Sequence, residues 1–460
     1  HMLDRLFGGR PPKKNDTLLD PGCGTGAFLA GILRWCTKNA GEAPQMVGIE
    51  SEPRRASQAQ AAFVGNENIE IRRADFLIDP IENFDFIVGN PPYVAIYGLS
   101  ENEKREFRLA FASARGRFDL YLLFFERALK SLKPGGRMVF ITPEKFLYVS
   151  TAAPLRCLLT SFQVDEIELV EEESFGDLIT YPTITTIINR PSSKPTSVRL
   201  RDGTVRDCAL TGGGASWMPI IRGVKADPSE TPTLKDICVR VSCGVATGAD
   251  EVFVRQTNSL EPGLAKFALP TIAGRELTSG GQISNQRKYS ILAPYSENGK
   301  LLPEQRLGAL GNYLRQPHIR EQLEKRSCVR HKPWYAFHET PPLREILRPK
   351  ILCKDITETP HFWIDETGVW VPRHSVYYIV PLDADKIESL CAYLNSPRVA
   401  QWLIGHCQRA ASGFLRLQSN ILKALPIPDD LAPLRYRRSP LTRQLELRPE
   451  VSASGSAASR

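Results

Sequence analysis

Thr17-Leu18-Leu19-Asp20 is a short apolar run that breaks directly into Pro21-Gly22-Cys23-Gly24-Thr25-Gly26-Ala27-Phe28, and apolar residues then recur at helical spacing to about Lys38. A strand, a glycine-rich turn and a helix in that order open a nucleotide-binding α/β unit, because residues without a Cβ let a ligand approach the backbone closely. The spacing is G-x-G-x-G, not the G-x-G-x-x-G of dinucleotide binders, and no G-K-[ST] follows to cradle a phosphate. Asp20, Pro21, Gly22, Gly24 and Gly26 are therefore candidate ligand contacts.

Three further strands reinforce that reading. Met46-Val47-Gly48-Ile49-Glu50 ends in an acid about where a carboxylate takes the two hydroxyls of a ribose. The run from Ile69 ends in Asp75-Phe76, an acceptor for an amino group beside an apolar neighbour for a ring. Phe84-Asp85-Phe86-Ile87-Val88-Gly89 then rises into Asn90-Pro91-Pro92-Tyr93, so a buried strand stops in a rigid loop. Two prolines fix φ and remove two donors, which leaves carbonyls facing outward. Asn90 adds a side-chain carbonyl and Tyr93 a flat face. Two acceptors beside a stacking platform suit the exocyclic amine of a nucleobase, whose lone pair is delocalised into the ring. Holding its N–H groups between the Asn90 side chain and the Pro91 carbonyl favours a more pyramidal, reactive nitrogen. Asn-Pro-Pro-Tyr alone is as readily a strand-ending turn, and each acid alone as readily a cap. Four strand ends in register on one sheet edge weigh toward a ligand site.

The stretch from Phe118 to Leu129 reads as a helix with a wide apolar face, closed by Lys133-Pro134-Gly135-Gly136. Most of its aromatics belong to a core, with Phe124 the one placed to reach a ligand. Val139–Pro143 is a fifth strand and a helix follows to about Phe162. Strands over 167–170 and 183–188 complete a seven-stranded sheet.

The set DPGCGTGAF, VGIE, ADF, FDFIVGNPPY and GRFDLYLLFFERALKSLKPGGRMVFITP resembles the TaqI-type, gamma-class N6-adenine DNA methyltransferases. That resemblance implies a class I methyltransferase (Rossmann-like) domain using S-adenosylmethionine. Asp20, Gly22 and Gly24 would line its methionyl side, Glu50 would hold the ribose, Asp75 and Phe76 the adenine, and Phe124 would pack nearby. Asn90, Pro91, Pro92 and Tyr93 would bind and stack on the target adenine. The family's Thr-Pro segment upstream of the glycine loop has no counterpart in Leu3–Asp16. Where the family places a second aromatic against the flipped base, TITTIINRP offers Asn189.

A chain of 460 residues is too long for one ordinary core. At 42% apolar and 24% charged it has a globular composition, with no apolar run long enough to span a bilayer. Ten cysteines without a C-x-x-C pair or zinc spacing read as reduced thiols of a cytoplasmic protein with no structural metal. The leading His1-Met2 reads as lying outside the fold. Charge is uneven: residues 222–460 hold 33 Lys+Arg against 24 Asp+Glu, and residues 1–221 the remaining 26 against 27. A near-neutral catalytic unit followed by a polyanion-binding one fits that distribution.

Between Asn189 and Trp217 the chain turns polar and Pro/Gly-rich, which places a boundary near Arg222. The order of LKDICVRVSCGVATGADEVFV, LPTIAGRELTSG, RPKILCKDIT, IESLCAYLNSPRVAQWL and GFLRLQSNILKALPIP is similar to the target-recognition domain of the same family. The expected organisation is a seven-stranded α/β catalytic domain over 3–221, a mixed α/β target-recognition domain over 222–445 and a disordered tail over 446–460. Basic clusters nominate Lys325, Arg326, Arg330, Lys332, Arg348 and Lys350 as DNA contacts, and Phe414 and Arg416 join them from the GFLR segment. The expected activity is site-specific methylation of a flipped adenine in double-stranded DNA, with a cognate restriction endonuclease as a candidate partner. The alternatives are a recognition subunit without turnover, or transfer to RNA or to a protein glutamine.

Overall fold

Nine strands form the sheet of the first unit in the computed structural model, which describes residues 1–8, 10–171, 181–224, 232–278, 283, 287–409 and 414–432. The chain divides into two units, 1–225 and 226–460. In the first, β1 (Thr17–Asp20), β2 (Gln45–Glu50), β3 (Ile69–Arg73), β4 (Phe84–Gly89) and β5 (Leu132–Pro143) are followed by β6 (Gln163–Leu169), β7 (Pro182–Ile188), β8 (Thr196–Arg199) and β9 (Val205–Cys208). Their spatial order is β3-β2-β1-β4-β5-β7-β6-β8-β9. Strands β1 to β5 are parallel where they pair, and β7 runs antiparallel between β5 and β6.

The sheet is wider than the seven strands expected. β8 pairs with β6, and β9 closes a hairpin on β8. Thr196 and Val198 are buried although they lie within the segment whose composition is that of a linker. Covering the β6 edge buries apolar area and pairs backbone groups that would otherwise stay open. Lys133-Pro134-Gly135-Gly136, expected to close the helix, is instead a bulge inside β5, where the register shifts between Phe84↔Leu132 and Phe86↔Arg137.

Alternate strand residues face opposite layers, as in a doubly wound sheet. Leu18, Phe86, Val88 and Val139 pack with α1 (Met2–Phe7), α2 (Ala27–Lys38) and Ala59 of α3 (Pro53–Ala62). Leu19, Ile87, Met138 and Phe140 pack with Phe107 of α4 (Glu101–Ala110) and with α5 (Leu120–Lys130). α5 is buried almost all round, so its sequence shows no clean amphipathic stripe. His1 and Met2, excluded from the expected fold, do make contacts in it: His1 Nε2 is 2.7 Å from Glu168 and Met2 packs against the core that holds Phe7, which lies on Trp35 and Phe86.

The second unit holds two four-stranded sheets and a small three-stranded one. One comprises Cys238–Cys243, Val376–Pro381, Lys350–Lys354 and Phe362–Asp365, and the other Val254–Gln256, Tyr289–Leu292, Ala268–Ile272 and Val371–Pro372. Helices Ile387–Leu394 and Pro397–His406 cover the first of these and share its core. No helix among the described residues is long and apolar enough to cross a membrane. The tail over 446–460 lies outside the described residues.

Candidate active site

Asp20 ends β1 almost fully buried, and among the described residues neither of its carboxylate oxygens completes a hydrogen bond. Burial pushes its pKa up to about 7; the Gly22 N–H facing it pulls the other way, and the nearby Glu50 carboxylate adds to the rise. A buried carboxylate without partners is costly unless a cationic group completes it. Glu50, at the end of β2, accepts from Gly24 N–H at 3.0 Å and from Glu52 N–H at 2.8 Å. It therefore braces the glycine turn as well as facing the same edge. Gly26 has φ +90°, and a Cβ there would sit 2.4 Å from the Phe63 ring, so this turn is closed to other residues.

Phe124 on α5 underlies the turn, its Cε1 3.8 Å from where a Cβ of Gly22 would stand. It meets Phe76 with ring centroids 5.2 Å apart. Asp75 accepts from Leu77 N–H at 2.8 Å, which orients its carboxylate at the end of β3. Asp20, Gly22, Gly24, Glu50, Phe76 and Phe124 are thus linked by direct contacts around one end of the sheet. An orphaned acid, an open glycine turn and an aromatic floor fit a cationic, adenosine-bearing cofactor.

Asn90 is exposed at the end of β4, Pro91 is buried and Tyr93 half-buried. Hydrogen bonds from Leu120 N–H to the Val94 carbonyl and from Ile96 N–H to the Phe118 carbonyl, 2.9 and 3.1 Å, tie the loop to the start of α5. The Tyr93 hydroxyl donates to the Ile141 carbonyl at 3.3 Å, and its ring meets Tyr121 edge-on at 6.2 Å. Burial raises the Tyr93 pKa to about 12, so the hydroxyl stays a donor. The loop joins the Asp20 cluster through Gly89, whose missing Cβ would lie 3.5 Å from Asp20 Oδ1 and 3.2 Å from Pro21 Cδ. Gly89, Tyr121 and the Ile141 carbonyl were not singled out from sequence. A glycine at the last position of a buried strand was the available signal for the first.

Asn189 is elsewhere. β7 is antiparallel to β5, with Pro143 opposite Pro182 and Arg137 opposite Ile188, so its end lies at the edge away from Asn90. There Asn189 Nδ2 donates to the Leu132 carbonyl at 2.6 Å and its backbone closes on Gly135 and Gly136. It braces the β5 bulge and is no stacking partner.

Several basic candidates of the second unit are structural. Lys350 is fully buried and paired with Asp365. Arg326 donates to the carbonyls of Thr247, Trp334 and Leu323 at 2.8, 2.6 and 3.0 Å and lies over the Phe253 ring. Lys332 ties down the His338 carbonyl at 2.9 Å. Lys325 is exposed and paired with Glu321, Arg330 is exposed, and Arg348 is half-buried. Arg416 is exposed on the small three-stranded sheet, and Phe414 is exposed just before its strand Leu415–Arg416.

Two family models match the chain: an Eco57I restriction-modification methylase over residues 45–175 and a TaqI-like C-terminal specificity domain over 270–427. Among curated relatives, the type II methyltransferase M.PaeR7I of Pseudomonas aeruginosa is 28% identical across 91% of this chain and 82% of its own length. M.XhoI of Xanthomonas vasicola is 29% identical across 83% and 75%. Among solved structures, the type IIL restriction-modification enzyme MmeI in complex with DNA superposes with a TM-score of 0.62 at 14% identity. That likeness covers 89% of this chain and 61% of the MmeI chain, so this chain spans about three fifths of that enzyme's length.

Proposed function

The chain belongs to the TaqI-type family of restriction-modification DNA methyltransferases, and from that premise we propose that it methylates the N6 amino group of an adenine flipped out of a specific duplex site. The observation that carries this reading is the contact of Gly89 with Asp20 and Pro21, which sets the Asn90-Pro91-Pro92-Tyr93 loop directly against the orphaned carboxylate.

S-adenosylmethionine, the family's cofactor, supplies an activated methyl group when bound. Asp20 would pair with its cationic part, the Gly22–Gly26 turn would admit its backbone-hugging portion, Glu50 would take the ribose, and Asp75 with Phe76 the adenine ring. The Asn90 side-chain carbonyl and the Pro91 carbonyl would each accept one N6–H of the target base, which localises the nitrogen lone pair. Tyr93 would stack on the base, its ring angle held by the hydroxyl bond to Ile141. Orientation supplies most of the rate, and the loop contains no His or Glu because the amine needs no prior deprotonation. A base inside a duplex is out of reach of such a pocket, so flipping is required.

The test is incubation with tritiated S-adenosylmethionine and unmethylated genomic DNA, then nucleoside digestion and chromatography. Label in N6-methyl-2′-deoxyadenosine is the expected result. Label in another base, or no label in DNA while parallel incubations with RNA or protein take it up, would overturn the reading.

A further inference from the structure

The three-stranded sheet of the second unit consists of Ile356–Thr357, Leu415–Arg416 and Gln408–Arg409, with Leu415–Arg416 in the middle. Arg416 is directly opposite Ile356 on one side and Gln408 on the other. Directly opposed residues share a face. Leu415 and Leu417 are buried on either side of the exposed Arg416, which fixes that face as the outer one. Ile356 is 47% exposed, so its apolar side chain stands on the same outer face as Arg416.

Arg416 makes no hydrogen bond among the described residues. Its Nε lies 3.6 Å from Asp355 Oδ1, a carboxylate oxygen that itself has no hydrogen-bond partner. That distance orients the guanidinium by charge and leaves its N–H fork unspent. Of the groups around it, Arg275, His374 and Arg409 are exposed, Arg409 opposite the buried Leu415, and Asp355 and the exposed Glu358 flank the Ile356 strand. Arg275 and His374 are joined to this face through Leu417 N–H to the Asp355 carbonyl, Asp355 N–H to the Ser375 carbonyl and Gly274 N–H to Ser375 Oγ.

We propose that this face reads base edges in the major groove of duplex DNA, with Arg416 engaging a guanine and Gln408 and Ile356 contacting its neighbours. The inference rests on the reading of the chain as a DNA methyltransferase. Adjacent strands are ~4.8 Å apart, so the three side chains span about 10 Å, or roughly three base-pair steps, which places each side chain within reach of a base pair next to or one beyond its neighbour's. Their chemistries are complementary to three different bases. A guanidinium fork matches guanine O6 and N7, a carboxamide matches adenine N6 and N7, and an apolar group meets the thymine methyl.

The full chain is used to select duplexes from a randomised pool, and the selected sequences are compared between wild type, Arg416→Ala, Arg416→Lys and Gln408→Ala. Wild type is expected to select a motif containing a G·C pair at which Arg416→Ala lowers discrimination roughly 5- to 150-fold, the other positions keeping theirs. Arg416→Lys loses the same position because an ammonium lacks the fork, and Gln408→Ala changes a neighbouring position. An unchanged motif in Arg416→Ala overturns the proposal. So does even weakening on all sequences that Lys restores, which assigns Arg416 to a phosphate, and so does a wild type that selects no motif. Methyl transfer to the selected duplex is measured separately; its absence would overturn the catalytic reading while leaving a base-reading face in place.

Discussion

Gly89 and Asp20 approach so closely that one added methyl group on the first would rest 3.5 Å from the carboxylate of the second. The tighter neighbour of that methyl would be Pro21 Cδ at 3.2 Å, so the end of β4 and the turn after β1 share a boundary that any side chain at position 89 would crowd. Gly89→Ala should push that boundary apart by a few tenths of an ångström and lower turnover on the order of 10-fold, with about 1 kcal/mol lost from folding. Gly89→Val should be worse on both counts. Single-turnover methyl transfer and urea unfolding separate the two effects, and wild-type turnover in Gly89→Ala would show that the loop tolerates the shift.

Asp20 makes folding pH-dependent in a particular direction. Its pKa is raised to about 7 in the fold from an ordinary 3.8, so the folded chain holds a proton that the unfolded chain has already released between those values. Stability is thus lost as pH rises from 4 toward 7, a loss on the order of 4 kcal/mol by pH 8. Asp20→Asn should therefore raise Tm of the ligand-free protein, and more at pH 8 than at pH 5. The same variant should lose affinity for S-adenosylmethionine. Thermal melts at the two pH values and calorimetric titration give both readings; an equal gain at both pH values would contradict the titration.

Asn90→Ala should cut methyl transfer by about 10²- to 10³-fold, because it removes an acceptor aimed at the reacting nitrogen. DNA binding should change little. Tyr93→Ala should cost stacking of roughly 1–3 kcal/mol and weaken base flipping, which 2-aminopurine fluorescence at the target position would report. Tyr93→Phe loses only the bond to Ile141 and should retain most of the rate. Normal turnover in Asn90→Ala would remove the loop from the chemistry.

Lys350→Ala should destabilise the second unit by about 3 kcal/mol, since the buried Asp365 would lose its counter-ion and keep only the Gly368 and Trp370 N–H groups and the Thr367 hydroxyl. Lys325→Ala, in an exposed pair, should leave unfolding unchanged. Urea titrations of both variants, followed by tryptophan fluorescence, test the contrast. Equal midpoints would mean that Lys350 is not the anchor its burial indicates.

Much of the catalytic unit was legible in the linear chain because its contacts are local or periodic. The Asp20 to Gly26 turn, Glu50, Asp75 and the Asn90 loop each sit at the end of an apolar run, and parallel strands bring their carboxyl ends to one edge. Residue type and strand order alone therefore determined that these groups would gather. What the tertiary structure decided was everything that depends on which long-range neighbour a residue meets. Asn189 fell at the opposite edge because β7 runs against β5, a direction that apolar periodicity does not encode. Lys350 and Arg326 look like any surface charge in sequence, and only the fold shows them spent on Asp365 and on three carbonyls. Ile356, Gln408 and Arg416 lie up to 60 positions apart in the chain, and cross-strand hydrogen bonding places them side by side. Register, set by backbone pairing between distant segments, is the property that no local pattern of side chains carries.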